Sequence, residues 1–160
     1  MYGGSSSWRN VGTFASSLGF NKVLGDGCLK SSRNKGPCGI YDEYLFDAIF
    51  ENLISEGGSK FIFALTTSNH SPYVLPKDYE VMSLEVPESL NKKVYNMNEA
   101  GKIFATCQYA NEMLARFIDR VKNSKYSDNT IIVVTGDHSF NFYQIDSLLD
   151  RVKVPQSQKI

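Results

Sequence analysis

With 160 residues, of which 42% are hydrophobic, 12% aromatic and 21% charged, the chain is one domain's worth and long enough to bury a core. Its 17 basic and 17 acidic side chains sum to zero, so composition gives no electrostatic footprint for nucleic acid or an anionic membrane. No apolar run approaches the roughly 18 residues that span a bilayer, and "MYGGSSSWRN" lacks the basic start and apolar centre of a signal peptide, so the sequence as given reads as a soluble chain.

In chain order, "GTFASSLGF" predicts a short helix closing at Gly19, followed by an extended piece, "NKVLG", and a Gly/Ser/Lys-rich loop over residues 25–39. Of the three cysteines, Cys28 and Cys38 bracket the polar stretch "CLKSSRNKGPC". An oxidising compartment would favour a disulfide between them and a reducing one two free thiols; the spacing matches no zinc pattern. Cys107 falls on an apolar helix face and reads as core. "YDEYLFDAIFENLISEGG" predicts an amphipathic helix. Leu45, Phe46, Ile49, Leu53 and Ile54 recur at helical spacing, acids occupy the first turn, and Gly57 and Gly58 end it. Tyr41, Asp42 and Glu43 are read as the start and cap of that helix.

"KFIFALTTS" is apolar nearly throughout, which predicts a strand covered on both faces. A loop containing Pro72, Pro76 and Pro87 occupies residues 69 to about 95. The longest helix is predicted from about Asn98 to Asn123, with Ile103, Phe104, Cys107, Ala110, Leu114, Phe117, Ile118 and Val121 as its apolar stripe. "KYSDN" turns the chain into "TIIVVTGDH", a second buried strand, and "SFNFYQIDSLLDRVKVPQSQKI" holds a short helix. Helix, strand, helix, strand is the order of an α/β layer with a largely parallel sheet flanked by helices. Two strands are fewer than the about four to six of a usual sheet. Residues 1–160 are therefore expected to form a single incomplete domain, part of a larger one.

In open α/β sheets, ligands gather beyond the carboxyl ends of the strands. The first strand ends in "TTSNH" and the second in "TGDH", so parallel strands would bring His70, Asp137 and His138 to one rim. The chain has only two histidines, and both fall there. A carboxylate oxygen and an imidazole nitrogen together suit a borderline divalent cation such as Mn²⁺, Zn²⁺ or Fe²⁺. Neighbours on a regular strand point to opposite faces, so Asp137 and His138 can share an ion only where the strand has ended, and Gly136 supplies that freedom. The plainer reading is a loop aspartate capping a turn beside an exposed histidine. His70 can hydrogen-bond an anionic oxygen or act as a general acid or base; otherwise it is a surface histidine opening a proline loop. Trp8, Arg9 and Asn10 sit on a Gly-rich turn leading into a helix, where Arg9 could clamp a phosphate or the polar residues could simply cap.

Taken together, these segments resemble the sulfatase-like transferases of the alkaline phosphatase superfamily, in the lipoteichoic acid synthase and phosphoglycerol transferase branch. The resemblance runs in order through "YGGSSSWRNVGTFASSLGFNKV", "GIYDEYLFDAIFENL", "KFIFALTTSNHSPYVLP", "YANEMLARFIDRVKNSKYSDNTIIVVTGDHS" and "LLDRVKVP". It implies a partial alkaline phosphatase-like layer. It also implies that Asp137 and His138 are metal ligands, for Mn²⁺ in this branch with Zn²⁺, Ca²⁺ or Mg²⁺ as alternatives. His70 then contacts the phosphoglycerol group, and Trp8, Arg9 and Asn10 fall in the family's Trp-Asn-Arg substrate region, in altered order. The family's threonine nucleophile and metal-binding glutamate precede the segment beginning "YGG", and no residue here matches either.

The implied function is a fragment of a metal-dependent phosphoglycerol- or phosphoethanolamine-type transferase, or of a sulfatase-like ester hydrolase, inactive on its own. Its implied partners are a phospholipid head group or other phospho- or sulfo-ester and a glycan or lipid acceptor, with no nucleic acid. The implied setting is the outer side of a bacterial cell membrane, reached through an N-terminal region outside this sequence. The alternative is a catalytically silent α/β module that binds glycan or protein. A flavodoxin-like nucleotide binder is disfavoured because no Gly-rich phosphate loop follows a strand.

Overall fold

A computed structural model describes residues 1–29, 35–55, 57–82 and 97–138, with side chains of the last segment from Ala100 onward. The helix expected after residue 138, Pro87 and residues 30–34 of the Gly/Ser/Lys-rich loop lie outside the described residues.

Helix α1 (Val11–Ser17) ends as its glycine predicts. Gly19 takes a left-handed φ of 88°. Its N–H reaches Ser16 O at 3.0 Å and the Phe20 N–H reaches Ala15 O at 3.3 Å, the paired bonds of a Schellman stop. Strands β1 (Lys35–Gly36) and β2 (Gly39–Ile40) then form a short antiparallel hairpin, with Lys35 opposite Ile40 and Gly36 opposite Gly39. Pro37 and Cys38 are its turn.

Helix α2 (Asp42–Ile54) follows at once. Its buried face is Asp42, Leu45, Phe46, Ile49 and Phe50, while Leu53 is half-buried and Ile54 exposed. The apolar stripe thus lies one helical step earlier than its C-terminal residues suggested. The open carbonyls at its end meet Lys60, whose Nζ lies 2.7 Å from Asn52 O and 2.6 Å from Ser55 O. A cation at a helix C-terminus also suits the helix dipole.

The long helix, α3 (Met97–Lys122), matches the predicted span within a residue at each end. Its deepest line is Ala100, Thr106, Tyr109, Met113 and Val121; of the predicted stripe only Val121 is on it, and the other seven, Cys107 included, are half-buried. Helices α2 and α3 pack against each other and form the core with Leu29 and Ile40. The Phe46 and Phe117 rings stack at 5.1 Å. Each Leu or Ile buried there contributes about 1.5–3 kcal/mol.

The expected strands differ from the prediction. Residue Leu65 makes a parallel bridge with Tyr2, where Gly3 N–H donates to Leu65 O and Leu65 N–H to Met1 O, both at 3.0 Å. On its other side, Tyr2 N–H donates to Leu24 O at 2.8 Å. Coverage on both faces is not found: Phe61 is 81% exposed, and it and Phe63 meet only the Phe20 ring, at 5.9 and 6.3 Å among the described ring contacts. Residues 131–134 join no strand ladder among the described residues, and Ile131 is 92% exposed. Apolar composition predicted burial, yet Phe61, Phe63, Ile131, Val133 and Val134 are exposed, because among the described residues no strand ladder covers these two segments.

Candidate functional site

The loop carrying His70 begins where the first apolar segment ends, and its position is set mainly by Asp42. That carboxylate is only 1% exposed. Its Oδ1 accepts the Thr67 N–H at 3.2 Å and the Ser68 N–H at 3.0 Å. In return, Ser68 Oγ accepts the Asp42 N–H at 2.9 Å. The first turn of α2 has N–H groups with no partner inside the helix, and Tyr41 makes no side-chain cap. Ser68 and Tyr109, whose hydroxyl lies 3.4 Å from Glu43 N, take that role from far along the chain. Burial raises the Asp42 pKa, and the bonds from Ser68 and Thr67 only partly offset it.

Further bonds hold the same loop. Thr106 Oγ1, buried in α3, lies 3.0 Å from Asn69 Oδ1. Thr67 Oγ1 donates to Ile40 O at 3.2 Å, and Tyr41 donates its hydroxyl to Leu75 O at 3.1 Å. Farther on, Tyr79 donates to Glu112 Oε2 at 2.7 Å and sets its ring edge-on to Tyr109 at 4.9 Å. Burial first, then that bond to a carboxylate, pushes the Tyr79 phenol up to about 12.

His70 itself is exposed. Its Nδ1 lies 2.8 Å from Ser71 O and 3.4 Å from Cys38 Sγ, and Cys38 Sγ lies 3.0 Å from Ser71 O. All three cysteines are free thiols. A small cavity beside this cluster is lined by Pro37, Cys38, Tyr41, Thr67, His70 and Val74, among others.

Asp137 and His138 occupy an exposed turn. Asp137 Oδ1 accepts the His138 N–H at 2.9 Å, while Oδ2 stands 3.5 Å from His138 Nε2. Both side chains therefore point the same way, as an irregular turn permits and a regular strand forbids. Among the described residues, no group of three or more His, Cys, Asp or Glu side chains converges as a metal cluster would.

Trp8, Arg9 and Asn10 form a 3-10 turn before α1 and are all exposed. Arg9 and Asn10 adopt left-handed φ values of 46° and 58°, and the Arg9 guanidinium lies over the Trp8 ring at 5.0 Å. Neither Ser7 nor Asn10 makes a side-chain cap, so capping does not explain this polar run. The described contacts thus gather Cys38 with His70, Asp137 with His138, and Trp8 with Arg9.

Sequence reasoning missed the supports. Asp42 was assigned to its own helix start, yet its carboxylate reaches across to the His70 loop. Cys38 was read only as a disulfide or free thiol. The available signal was the closeness of Cys38, Gly39 and Asp42 along the chain, on a hairpin leading straight into a helix.

A family model described as Sulfatase matches residues 1–158. Curated relatives include proteins named phosphoglycerol transferase I from Escherichia coli and Shigella boydii, each 26% identical over 146 residues. The same-named protein of Escherichia fergusonii is 25% identical. These alignments cover 86% of this chain but 18% of each relative, so the chain spans under a fifth of their length. No solved structure gives a significant match.

Proposed function

We propose, from the premise that this chain belongs to the sulfatase family, that it is part of an α/β domain that transfers or hydrolyses phospho- or sulfo-esters with a divalent cation. The similarity to phosphoglycerol transferases favours a phosphoglycerol-type group as the one transferred. The observation that carries the metal reading is the 3.5 Å between Asp137 Oδ2 and His138 Nε2. Two donors bound tetrahedrally to one ion at about 2.1 Å stand about 3.4 Å apart. The pair fits one edge of such a site.

One carboxylate oxygen and one imidazole nitrogen suit Mn²⁺ or Zn²⁺ better than Ca²⁺ or Mg²⁺, which favour all-oxygen shells. A cation held there supplies Lewis acidity toward a phosphoryl or sulfuryl oxygen. Asp137 and His138 would hold it, with the remaining positions left to water or to residues of a larger domain. The pinned loop gives His70 a fixed place from which to hydrogen-bond an anionic ester oxygen, and fixing such a group in advance saves ordering entropy. Arg9 and Asn10 would meet the substrate from the turn before α1. On this reading the lipid head group, the glycan or lipid acceptor and the bacterial envelope belong to the larger protein. Among the described residues, no helix is long and apolar enough to cross a membrane.

A catalytically silent binding module is the second reading, and one bond favours it: Asp137 Oδ1 caps the amide of His138, as an ordinary turn aspartate does. Calorimetric titration separates the two. The chain should give saturable heat with Mn²⁺ or Zn²⁺ that an Asp137→Ala, His138→Ala chain lacks. Identical heats from both chains would remove the metal reading and leave the binding module.

A further inference from the structure

The contacts around His70 fix more than its place. A carbonyl oxygen only accepts hydrogen bonds, so at 2.8 Å from Ser71 O the Nδ1 atom must carry a hydrogen. The Cys38 thiol is 3.0 Å from the same oxygen and donates to its second lone pair. Sulfur, a weak acceptor, then faces the Nδ1–H at 3.4 Å. The opposite arrangement, with the thiol donating to a bare Nδ1, would set two lone-pair atoms against each other 2.8 Å apart. A thiolate would likewise stand 3.0 Å from the Ser71 oxygen with no hydrogen between them. The three atoms are satisfied by a neutral thiol and an Nδ1–H, so a neutral ring carries its lone pair on Nε2.

The thiol has little freedom to leave. Cys38 lies in the hairpin turn just before Gly39, whose φ is 144° and where a Cβ would come within 2.1 Å of Gly3 O. Ile40 N–H, one residue on, donates to that oxygen at 2.9 Å. The histidine side is fixed by Asp42 through Thr67 and Ser68 and by Thr106 through Asn69. The two segments are also bonded to each other, Thr67 Oγ1 to Ile40 O at 3.2 Å, and meet again at the Sγ–imidazole contact.

We propose that Cys38 is a positioning residue for His70. With the Ser71 carbonyl it holds the ring as the Nδ1–H tautomer and presents Nε2, as an acceptor when neutral and a donor when protonated, to an ester oxygen or hydroxyl. The last clause rests on the function proposed above; the tautomer does not.

Long-range ¹H–¹⁵N spectra of the chain test this, because only two histidines give signals and His138→Gln assigns them. At a pH where the ring is neutral, His70 should show the Nδ1–H pattern, whereas a solvated imidazole favours Nε2–H. Cys38→Ala leaves the Ser71 carbonyl as the one remaining of these two partners of Nδ1–H and should raise the share of the solvated Nε2–H form, which Cys38→Ser should lower again. A wild-type His70 in the Nε2–H form, or a Cys38→Ala spectrum identical to wild type, overturns the proposal. Titration with glycerol phosphate is a separate arm. A shifted Nε2 signal supports the ligand clause, and an unmoved one removes that clause and the substrate reading while leaving the tautomer result standing.

Discussion

Asp42 shows how one side chain couples a helix start to a functional loop. Its carboxylate replaces water for two backbone amides that would otherwise be buried without partners. Asp42→Ala should therefore cost about 1–3 kcal/mol, the penalty for leaving such donors unsatisfied. Asp42→Asn keeps an accepting oxygen and should cost much less. The two also differ in pH response. Burial raises the folded pKa of Asp42 above its unfolded value of about 3.9. The folded state thus holds the proton more tightly, so this group's contribution is full below about pH 3.9 and is lost as pH rises through the folded pKa. Chemical denaturation of wild type and Asp42→Asn across that window should show wild type losing ground with rising pH. A stability difference that is flat in pH would mean that the carboxylate titrates as it does in water.

At the scale of elements, the two long helices were legible because their apolar residues recur at helical spacing over many turns. The phase was less legible. In α3 the deepest side chains include Thr106, a polar residue that hydrophobic patterning passes over and that is fully buried because it bonds the loop opposite. The hairpin carrying Cys38 was not legible at all, being two residues per strand and bounded by glycines that composition reads as loop. Thr106 permits a direct check of how α3 holds that loop. Thr106→Val preserves shape and removes the hydroxyl, which lies 3.0 Å from Asn69 Oδ1. Stability should fall by about 1 kcal/mol, the net worth of a typical hydrogen bond. Amide hydrogen exchange over residues 69–73 should speed up more than exchange in α2. Uniform acceleration in both would show that Thr106 serves only the core.

The described residues include a helical core and an apolar periphery. The helical core grips the His70 loop. The periphery includes Phe61, Phe63, Ile131, Val133 and Val134, whose side chains the sequence placed inside a sheet, while Ile62, between the two phenylalanines, packs against the core. The candidate residues were legible as residue types at segment ends, whereas the bonds that hold the His70 loop join residues 25 to 37 positions apart, which no local pattern encodes. Exposed apolar side chains clustered in this way promote association in water. Sedimentation velocity should therefore show the chain associating as its concentration rises. Ile131→Lys with Val133→Lys should shift it toward monomer while leaving the helical circular dichroism unchanged, since neither side chain touches the α2–α3 core. If the double variant associates as strongly as wild type, the 131–134 segment is not the adhesive face, and the Phe20, Phe61 and Phe63 cluster becomes the next surface to charge.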